Sequence, residues 1–507
     1  MLSRLKLFLS RRSVPIAAVV LLQLLLLFLL LIFCSARLPF FGFAMRLFTL
    51  YCACYLISRR DNPAYKLAWV ALMLLFPALG GAVYLIGGSK RLPKKLKKQL
   101  LKFSKSDDRQ QLNASALSEL AKTEPDFYPI SLYIMRAAGL PPVDATDCRF
   151  FATGGELFDT LCEKLKSAES FIFLEYFIVS SGALFDRIDK ILTEKLEQGI
   201  EVRIMYDDLG CIDLPGKNQL QELKEKGAKL LAFNRCRPHL NPAMNYRDHR
   251  KICVIDGDAG FCGGANISDE YVNLLPTLSH WKDTGVMLCG RGVWNLALLF
   301  LNLWDFSCSG KSDFGSYLPN EDFVGSGFVQ PFGDNPLDEL CVAENVLLMA
   351  LMRAKQYFYI TTPYLIPDSE MINALCTAAL SGVDVRIITP AVPDKWYVHA
   401  LTQSHYRLLL NGGVRIFEYT PGFIHSKQFI CDDRFAVVGT ANMDYRSFYL
   451  HFESAVCLYG CDAIAEVKRD MIETLGCCRE ITVEDTFKFP LLQRMTAAVL
   501  KPFAPLF

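Results

Sequence analysis

The chain has 507 residues, of which 52% are hydrophobic, and its 54 basic and 53 acidic residues nearly balance. This length exceeds one ordinary compact domain, and the glycine and proline counts of 32 and 24 exclude a collagen-like or disordered chain. Residues 1–88 hold nine Lys or Arg and one acidic residue, so residues 89–507 carry a net charge of −7. Because nucleic-acid binders show a basic excess over the working domain, we expect no nucleic-acid partner.

The amino-terminal region is apolar enough to enter a membrane. Residues 14–34 form an uncharged stretch long enough to cross a bilayer core of about 30 Å. Residues 67–88 form a second apolar stretch, and residues 40–57 form another that Arg46 interrupts. No small-residue cleavage site follows the first stretch, which argues against a signal peptide. We therefore predict a multi-pass membrane domain with spans at these three places.

A polybasic run follows the apolar stretches, with seven Lys or Arg between Lys90 and Lys102. We expect it to contact anionic lipid, which attracts each such residue by about 1 kcal/mol; a solvated helix face is the alternative. With three spans, the flanking positive charges divide seven to eight between the two sides. With only 14–34 and 67–88 as spans they divide eleven to five, which favours a cytoplasmic carboxy-terminal part.

The eighteen cysteines are too sparse for a disulfide scaffold, and their spacings fit no zinc site. We expect buried free thiols in a reducing compartment. This expectation also favours the cytoplasmic side for the catalytic part of the chain.

Beyond residue 126 the chain contains two similar α/β units. Residues 168–206 read as an apolar strand, an amphipathic helix and a β-branched strand, and residues 354–389 repeat this order. A further matched pair of strand patterns follows at 226–233 and 412–417. Two lobes of common ancestry are the economical explanation.

Each lobe carries the same His-x-Lys-x4-Asp motif. The two copies are His249, Lys251 and Asp256 in the first lobe and His425, Lys427 and Asp432 in the second. An asparagine stands 17 residues after each histidine, at Asn266 and Asn442. Because side chains two residues apart on a strand share a face, the His and Lys of each motif point the same way. Two copies at matched positions predict one catalytic site formed by both lobes.

Two histidines and two lysines that converge are suited to phosphoryl transfer. A neutral imidazole can attack phosphorus and form a phosphohistidine, and the second imidazole can protonate the leaving alkoxide. Lysines and asparagines can stabilise the negative charge on the transferred group, so we expect no metal ion and no other cofactor. The remaining five histidines are expected to be structural or peripheral: His239, His280, His399, His405 and His451.

Several further residues lie close to the motifs. The predicted substrate-binding set consists of Asn266, Asn442, Gly264, Thr440 and Glu453. Glycine allows backbone to approach a phosphate closely, and asparagine can bond a phosphoryl oxygen. From the residues alone, Glu453 either orients an imidazole or packs in the core. Asp256 and Asp432 are expected to position the backbone of the motifs rather than to react.

The paired motifs resemble the phospholipase D superfamily, and the wider pattern is similar to that of bacterial cardiolipin synthases. The segments that carry the resemblance are 59–69, 245–252, 263–267, 281–284, 361–368 and 439–447. The likeness extends from about residue 40 to the carboxy terminus. One departure is His451, which stands where the family usually has asparagine.

The resemblance implies a phosphatidyltransferase of the bacterial cell membrane. It would make cardiolipin and glycerol from two phosphatidylglycerol molecules through a covalent phosphatidyl-histidine. Phosphatidylglycerol and anionic membrane lipid would be its partners. The resemblance also makes both motifs catalytic, aspartates included, with His249 as nucleophile and His425 as acid and base. A phospholipase D-type phosphodiesterase that hydrolyses phospholipid and an inactive membrane scaffold are the alternatives.

The expected fold class is α/β, with two repeated phospholipase D-like lobes that face each other, each a mixed sheet flanked by helices, after amino-terminal transmembrane helices. The predicted divisions are a membrane domain at 1–88, a polybasic segment and linker at 89–126, a first lobe at 127–308, an inter-lobe linker at 309–338, a second lobe at 339–486 and an apolar tail at 487–507.

Overall fold

The computed structural model of the protein describes residues 11–59, 62–77, 79–88, 114–214, 216–238, 242–275, 279–319, 323–337 and 340–506. Two mixed sheets flanked by helices form two lobes, as the sequence predicts. All eighteen cysteines fall within these residues and are free thiols. The polybasic run and His239 lie outside the described residues.

The first lobe is built on a seven-stranded sheet. Its strands, from edge to edge, are Thr146–Phe151, Gly285–Gly290, Ala259–Gly263, Lys251–Ile255, Phe171–Tyr176, Glu201–Asp207 and Lys229–Phe233. The first five strands in this order pair antiparallel with one another. The last three, Phe171–Tyr176, Glu201–Asp207 and Lys229–Phe233, pair in parallel. One face packs against the helices Gly154–Lys166, Ala183–Glu197 and Lys217–Glu225, and the other packs against Val293–Cys308.

The second lobe repeats this strand order and adds one edge strand. Its strands are Phe328–Asp334, His451–Tyr459, Phe435–Gly439, Gln428–Cys431, Tyr357–Thr361, Asp384–Pro390, Arg415–Tyr419 and Cys478–Ile481. Its main helices are Val342–Leu351, Ser369–Leu380, Trp396–Asn411, Ala463–Gly476 and Leu491–Leu500. A single apolar core runs from helix Val293–Cys308 into this lobe, so the two sheets share their buried surface.

Two segments belong to the second lobe although the sequence places them elsewhere. Strand Phe328–Asp334 lies inside the predicted linker 309–338, but it pairs along its whole length with His451–Tyr459. Helix Tyr128–Ala138 lies in the predicted first lobe, but it packs on that strand and on helix Val342–Leu351. The sequence misplaces both segments because neighbours along the chain are the default partners. The actual partners lie about 200 residues away for the helix and over 100 residues away for the strand.

Two of the predicted spans form long helices, Ser13–Arg37 and Pro39–Ser58. Within them, Ser13–Cys34 and Phe40–Ser58 are long and apolar enough to cross a membrane. Most of their leucine and phenylalanine side chains are exposed rather than packed against the lobes. This exposure is the behaviour expected of a helix whose solvent is lipid.

The third predicted span, 67–88, is not one continuous helix. Helix Pro63–Leu75 ends just before Pro77, and the chain reverses into Leu79–Val83 and a π-helical turn, Tyr84–Gly88. Pro77 has no N–H to continue the helical ladder, and its carbonyl accepts a hydrogen bond from the Thr49 hydroxyl.

The two arms of this hairpin pair along their length. The Tyr65 hydroxyl donates to the Gly88 carbonyl at 2.8 Å, and the rings of Trp69 and Tyr84 lie 5.4 Å apart. Near the tip, a Cβ on Gly80 would lie 2.6 Å from the Met73 Cα, so only glycine allows this approach. Both ends of 63–88 therefore lie on the same side, and its 13-residue first arm, about 20 Å long, is too short to cross the bilayer.

Epitope tags test this topology. We expect tags inserted after Arg59 and after Gly88 to lie on the same side of the membrane as a carboxy-terminal tag, because 63–88 returns to the side that it left. A tag inserted between Arg37 and Leu38 should lie on the opposite side. Antibody accessibility on sealed vesicles, before and after detergent, measures all four positions. Opposite sidedness for the tags after Arg59 and Gly88 would restore the third span.

Candidate active site

Two short strand pairs join the lobes next to the motifs. Arg247–Asp248 of the first lobe pairs in parallel with the start of His451–Tyr459, and Gly422–Ile424 of the second pairs with His280–Lys282. The register continues into the histidines. The His249 amide donates to the Phe452 carbonyl at 2.9 Å, and the His425 amide donates to the Lys282 carbonyl at 2.7 Å.

These strand pairs bring each histidine to a carboxylate of the opposite lobe. His249 Nδ1 lies 3.0 and 2.9 Å from the two Glu453 oxygens, and His425 Nδ1 lies 2.6 Å from Asp283 Oδ2. An ionised carboxylate only accepts hydrogen bonds, so it places the proton of a neutral imidazole on Nδ1. Nε2 is then the nitrogen available to a substrate.

The four groups differ in how burial affects them. Burial lowers the pKa of both imidazoles well below its ordinary value, which favours the neutral, nucleophilic form. Burial would raise the pKa of Glu453, but His249 and His451 beside it lower that pKa below its ordinary value. Burial raises the pKa of Asp283 to about 6. Glu453 is therefore the more firmly anionic of the two carboxylates.

Both motif lysines are buried beside the histidines. Lys251 Nζ donates to the His249 carbonyl at 2.6 Å, and Lys427 Nζ lies 2.7 Å from His425 Nδ1. Burial lowers the pKa of Lys251 to about 8 and that of Lys427 to about 7. An anion bound beside them would favour their charged forms.

Gly264 and Thr440 occupy matched positions in the two lobes, and both contact a carboxylate. The Thr440 hydroxyl donates to Glu453. A Cβ on Gly264 would lie 2.1 Å from Asp283 Oδ1, so the absence of a side chain makes room for that carboxylate. The structure places both beside the carboxylates that orient the histidines, and substrate contact by Gly264 and Thr440 stays a prediction. Glu453 itself orients His249, which is the first of the two readings that the sequence left open.

The two asparagines line the same cavity as both histidines. Asn266 accepts from the Ile178 amide at 3.0 Å and donates to the Tyr271 hydroxyl at 2.7 Å. The buried Asn442 Oδ1 has no partner among the described residues. Substrate contact by these side chains stays a prediction.

Asp256 and Asp432 lie at the far ends of the strands that follow the motif lysines. Each carboxylate accepts three backbone N–H groups, at 2.6 to 2.9 Å, at the start of the neighbouring strand. Each also has a positive φ, 56° and 50°. The catalytic role that the resemblance implies for them is not what the structure shows, since they fix the sheet and do not reach the imidazoles.

The two histidines and the two asparagines line one cavity of about 550 Å³. Aromatic side chains line much of it, namely Phe177, Tyr271, Trp281, Tyr364 and Tyr397. Ala504 of the carboxy-terminal tail also lines it, and the tail segment Lys501–Leu506 packs on the membrane hairpin helix Pro63–Leu75. The cavity thus adjoins the apolar hairpin 63–88.

Sequence reasoning missed two residues of this site. Asp283 stands 17 residues after Asn266, whereas Glu453 stands 11 after Asn442, so no matched spacing marks Asp283 in the sequence. His451 was expected to be peripheral, but its ring lies 5.2 Å from that of His249. The Arg446 Nε–H donates to His451 Nε2 at 2.9 Å, which holds the ring neutral with its proton on Nδ1, 3.4 Å from Glu453.

Comparison with known proteins agrees with this geometry. The family model described as "Cardiolipin synthase, PLD-like domain" matches residues 161–275 and 347–475, and the model "Phospholipase_D-nuclease N-terminal" matches 47–88. The chain is 35% identical to a cardiolipin synthase of Geobacillus sp. strain WCH70, over 89% of this chain and 91% of that protein. It is 34% identical to cardiolipin synthase 2 of Bacillus anthracis, over 92% and 90% of the two chains.

A solved structure shares the fold. The phosphatidylserine synthase of Haemophilus influenzae superposes with a TM-score of 0.57, covering 75% of this chain and all of that one at 14% identity. At this identity the likeness supports the two-lobed fold alone.

Glu453→Gln tests the orientation of His249. A glutamine amide can present its own N–H to Nδ1 and move the imidazole proton to Nε2, which removes the nucleophilic lone pair. We expect turnover to fall by about 10²- to 10⁴-fold with the fold intact. Trapping of labelled phosphohistidine, together with kcat and KM, measures the effect. Glu270→Gln is the matched control, because Glu270 lines the cavity and accepts a hydrogen bond from the Ser268 hydroxyl rather than from a histidine. Equal loss in both variants would contradict the assignment.

The lysines predict a particular pH dependence. Because their pKa values are lowered to about 8 and 7, the positive charge that attracts a phosphate is present at low pH and is lost as pH rises through this range. We expect kcat/KM to fall between about pH 7 and 8, while the lowered imidazole pKa values keep the acid limb below pH 6.5. Lys427→Arg should move the start of the alkaline limb upward, from about 7 toward the Lys251 pKa of about 8, since arginine stays charged. A pH–rate profile that is flat through pH 9 would rule this out.

Proposed function

The chain belongs to the cardiolipin synthase family of phospholipase D-like proteins, and we propose that it transfers a phosphatidyl group from one phosphatidylglycerol to another, making cardiolipin and glycerol. Family membership makes the chain a phosphatidyltransferase that acts on phospholipids. The observation that carries the finer proposal is the pair of histidines, each held by a carboxylate of the opposite lobe, that line one cavity beside the membrane elements.

In the first half of the reaction, His249 Nε2 attacks the phosphorus of phosphatidylglycerol. A P–N bond forms and the P–O bond to the headgroup glycerol breaks. His425, in the imidazolium form that the bound phosphodiester anion favours, gives its Nε2 proton to the departing alkoxide. The firmly anionic Glu453 supports His249 as the nucleophile, because it stabilises the positive charge that develops on the phosphorylated ring. Lys251, Lys427 and the two asparagines stabilise the negative charge on the phosphoryl oxygens.

In the second half, the headgroup hydroxyl of another phosphatidylglycerol enters the position that glycerol left. His425, now unprotonated, takes the proton of that hydroxyl, the oxygen attacks phosphorus, and the P–N bond breaks. The product is cardiolipin, and both histidines return to their starting states. The aromatic lining and the neighbouring membrane hairpin support a lipid acceptor rather than water.

The active site faces the cytoplasm in this proposal. With Ser13–Cys34 and Phe40–Ser58 as the spans, fourteen flanking Lys or Arg lie on the side of the lobes and one, Arg37, lies between the spans. Two contacts support placing both outer ends on that side. Arg12 forms a 2.8 Å ion pair with Asp208 of the first lobe, and Asn62 donates to Asp368 of the second lobe at 2.8 Å.

Purified protein given phosphatidylglycerol as its sole lipid tests the reaction. We expect cardiolipin and glycerol in equal amounts. His249, His451 and Glu453 each offer a ligand atom within 4.8 Å of the others, so a metal ion could bind there. The assay is therefore run with and without a chelator, and activity in its presence is the expected result. Phosphatidic acid as the only lipid product would replace transfer by hydrolysis.

His249→Ala tests the role of the first histidine. We expect no covalent lipid adduct and at least about 10³-fold slower turnover, because the proposed nucleophile is gone. His425→Ala should still form the adduct, more slowly, since it retains the nucleophile. Mass spectrometry locates the label on peptides from a digest kept at neutral or alkaline pH, because acid hydrolyses the P–N bond. A labelled adduct on His425 in the His249→Ala protein would reverse the two roles.

A further inference from the structure

A second cavity, of about 240 Å³, lies between helix Trp396–Asn411 and the carboxy-terminal helix Leu491–Leu500. Three basic side chains line it, Arg407, Arg494 and Lys501, and no acidic residue does. Within the part of the chain that the structure describes, none of the three has a carboxylate partner. Three uncompensated cations around one small cavity repel each other, so the arrangement favours an anion.

The setting of two of these cations strengthens this point. The Arg407 guanidinium lies over the Phe487 ring, 4.5 Å from its centroid, which leaves the N–H groups at its edge to bind a ligand. Lys501 is exposed to solvent, and partial desolvation of its ammonium group lowers the pKa of that group. A bound anion would offset that cost.

The outer face of the same helix is apolar and exposed. Leu491, Leu492, Met495 and Val499 are each between 59% and 72% exposed. At 100° per residue these four side chains fall within an arc of about 100°, and the buried Ala497 lies on the other side, toward the basic cavity. An apolar face of this kind beside basic groups is typical of a helix that lies in the membrane interface.

The position of the helix agrees with such a surface. Its continuation, Lys501–Leu506, packs on the membrane hairpin helix Pro63–Leu75. Lys501 lines the basic cavity and Ala504, three residues later, lines the catalytic cavity. The basic cavity is therefore a neighbour of the catalytic one at the same membrane-facing side, but it shares no lining residue with it.

We propose that this basic cavity is a second binding site, which holds the phosphodiester headgroup of an anionic phospholipid while the exposed face of Leu491–Leu500 rests among the acyl chains. Arginine N–H groups and the lysine ammonium pair with the phosphoryl oxygens. The occupant is a lipid rather than free phosphate because the helix that lines the cavity on one side presents, on its other side, exposed apolar side chains that acyl chains would cover.

Lipid binding to the full chain in detergent tests this site independently of the reaction. All proteins carry His249→Ala and His425→Ala, so that no lipid is turned over. Native mass spectrometry counts bound phosphatidylglycerol, with phosphatidylcholine of the same acyl chains for comparison. The glutamine variant replaces Arg407, Arg494 and Lys501 by glutamine. It should bind one phosphatidylglycerol fewer per chain, because the apparent affinity of this site for the lipid falls at least about tenfold.

The matched control replaces Lys190, Lys224 and Lys226, exposed on the first lobe, by glutamine and should bind lipid normally. The double variant Arg407→Lys, Arg494→Lys keeps the positive charges and should retain most of the lipid binding. Such retention would show that the glutamine variant loses binding because it loses charge, and not because it fails to fold. Two results would overturn the proposal. One is unchanged phosphatidylglycerol binding in the glutamine variant, and the other is a site that, before substitution, binds phosphatidylcholine as tightly as phosphatidylglycerol.

A further variant distinguishes the two sources of phosphate. Leu492→Gln with Met495→Gln leaves the cations in place but weakens the apolar face, so it should reduce phosphatidylglycerol binding. If this variant binds the lipid normally and inorganic phosphate displaces the lipid at equal concentration, the cavity is a free-phosphate site and the lipid proposal fails.

Discussion

The site depends on the exchange of strand partners between the lobes. The residues before each histidine pair with the strand of the other lobe that carries its carboxylate. Neither His249 nor His425 receives its orienting acid from its own lobe. A lobe alone would therefore hold a histidine and a lysine without the group that fixes the imidazole proton. Docking of the lobes and assembly of the chemistry are the same event, and the continuous apolar core stabilises both.

The two halves of the site are alike in plan but different in charge. Glu453 is held anionic by two neighbouring imidazoles, whereas buried Asp283 has a pKa raised to about 6. A repeat in the sequence therefore does not produce two equivalent histidines. His451 contributes to this difference, because it places a third imidazole against Glu453 only.

The membrane elements and the catalytic lobes are linked at defined points. The hairpin 63–88 begins at Asn62, which bonds to the second lobe, and the tail Lys501–Leu506 packs on its first arm. The catalytic cavity and the basic cavity both reach this tail. In the proposed reaction, a lipid that leaves the bilayer here would have only a short distance to move before its phosphate met the buried lysines.

The sequence by itself determined the two-lobed α/β fold, the two long apolar helices near the amino terminus that cover 14–34 and 40–57, and the motif residues His249 and His425. These are local or repeated patterns, written in hydrophobic periodicity and in matched spacings. Asp283, the true neighbours of Gly264 and Thr440, and the reversal of the chain at Pro77 were decided only by tertiary structure. The physical reason is that each depends on a contact with a distant segment. A carboxylate reaches a histidine only when the strands of the two lobes pair. An apolar segment that contains Pro and Gly either crosses the bilayer or turns back, depending on what it packs against.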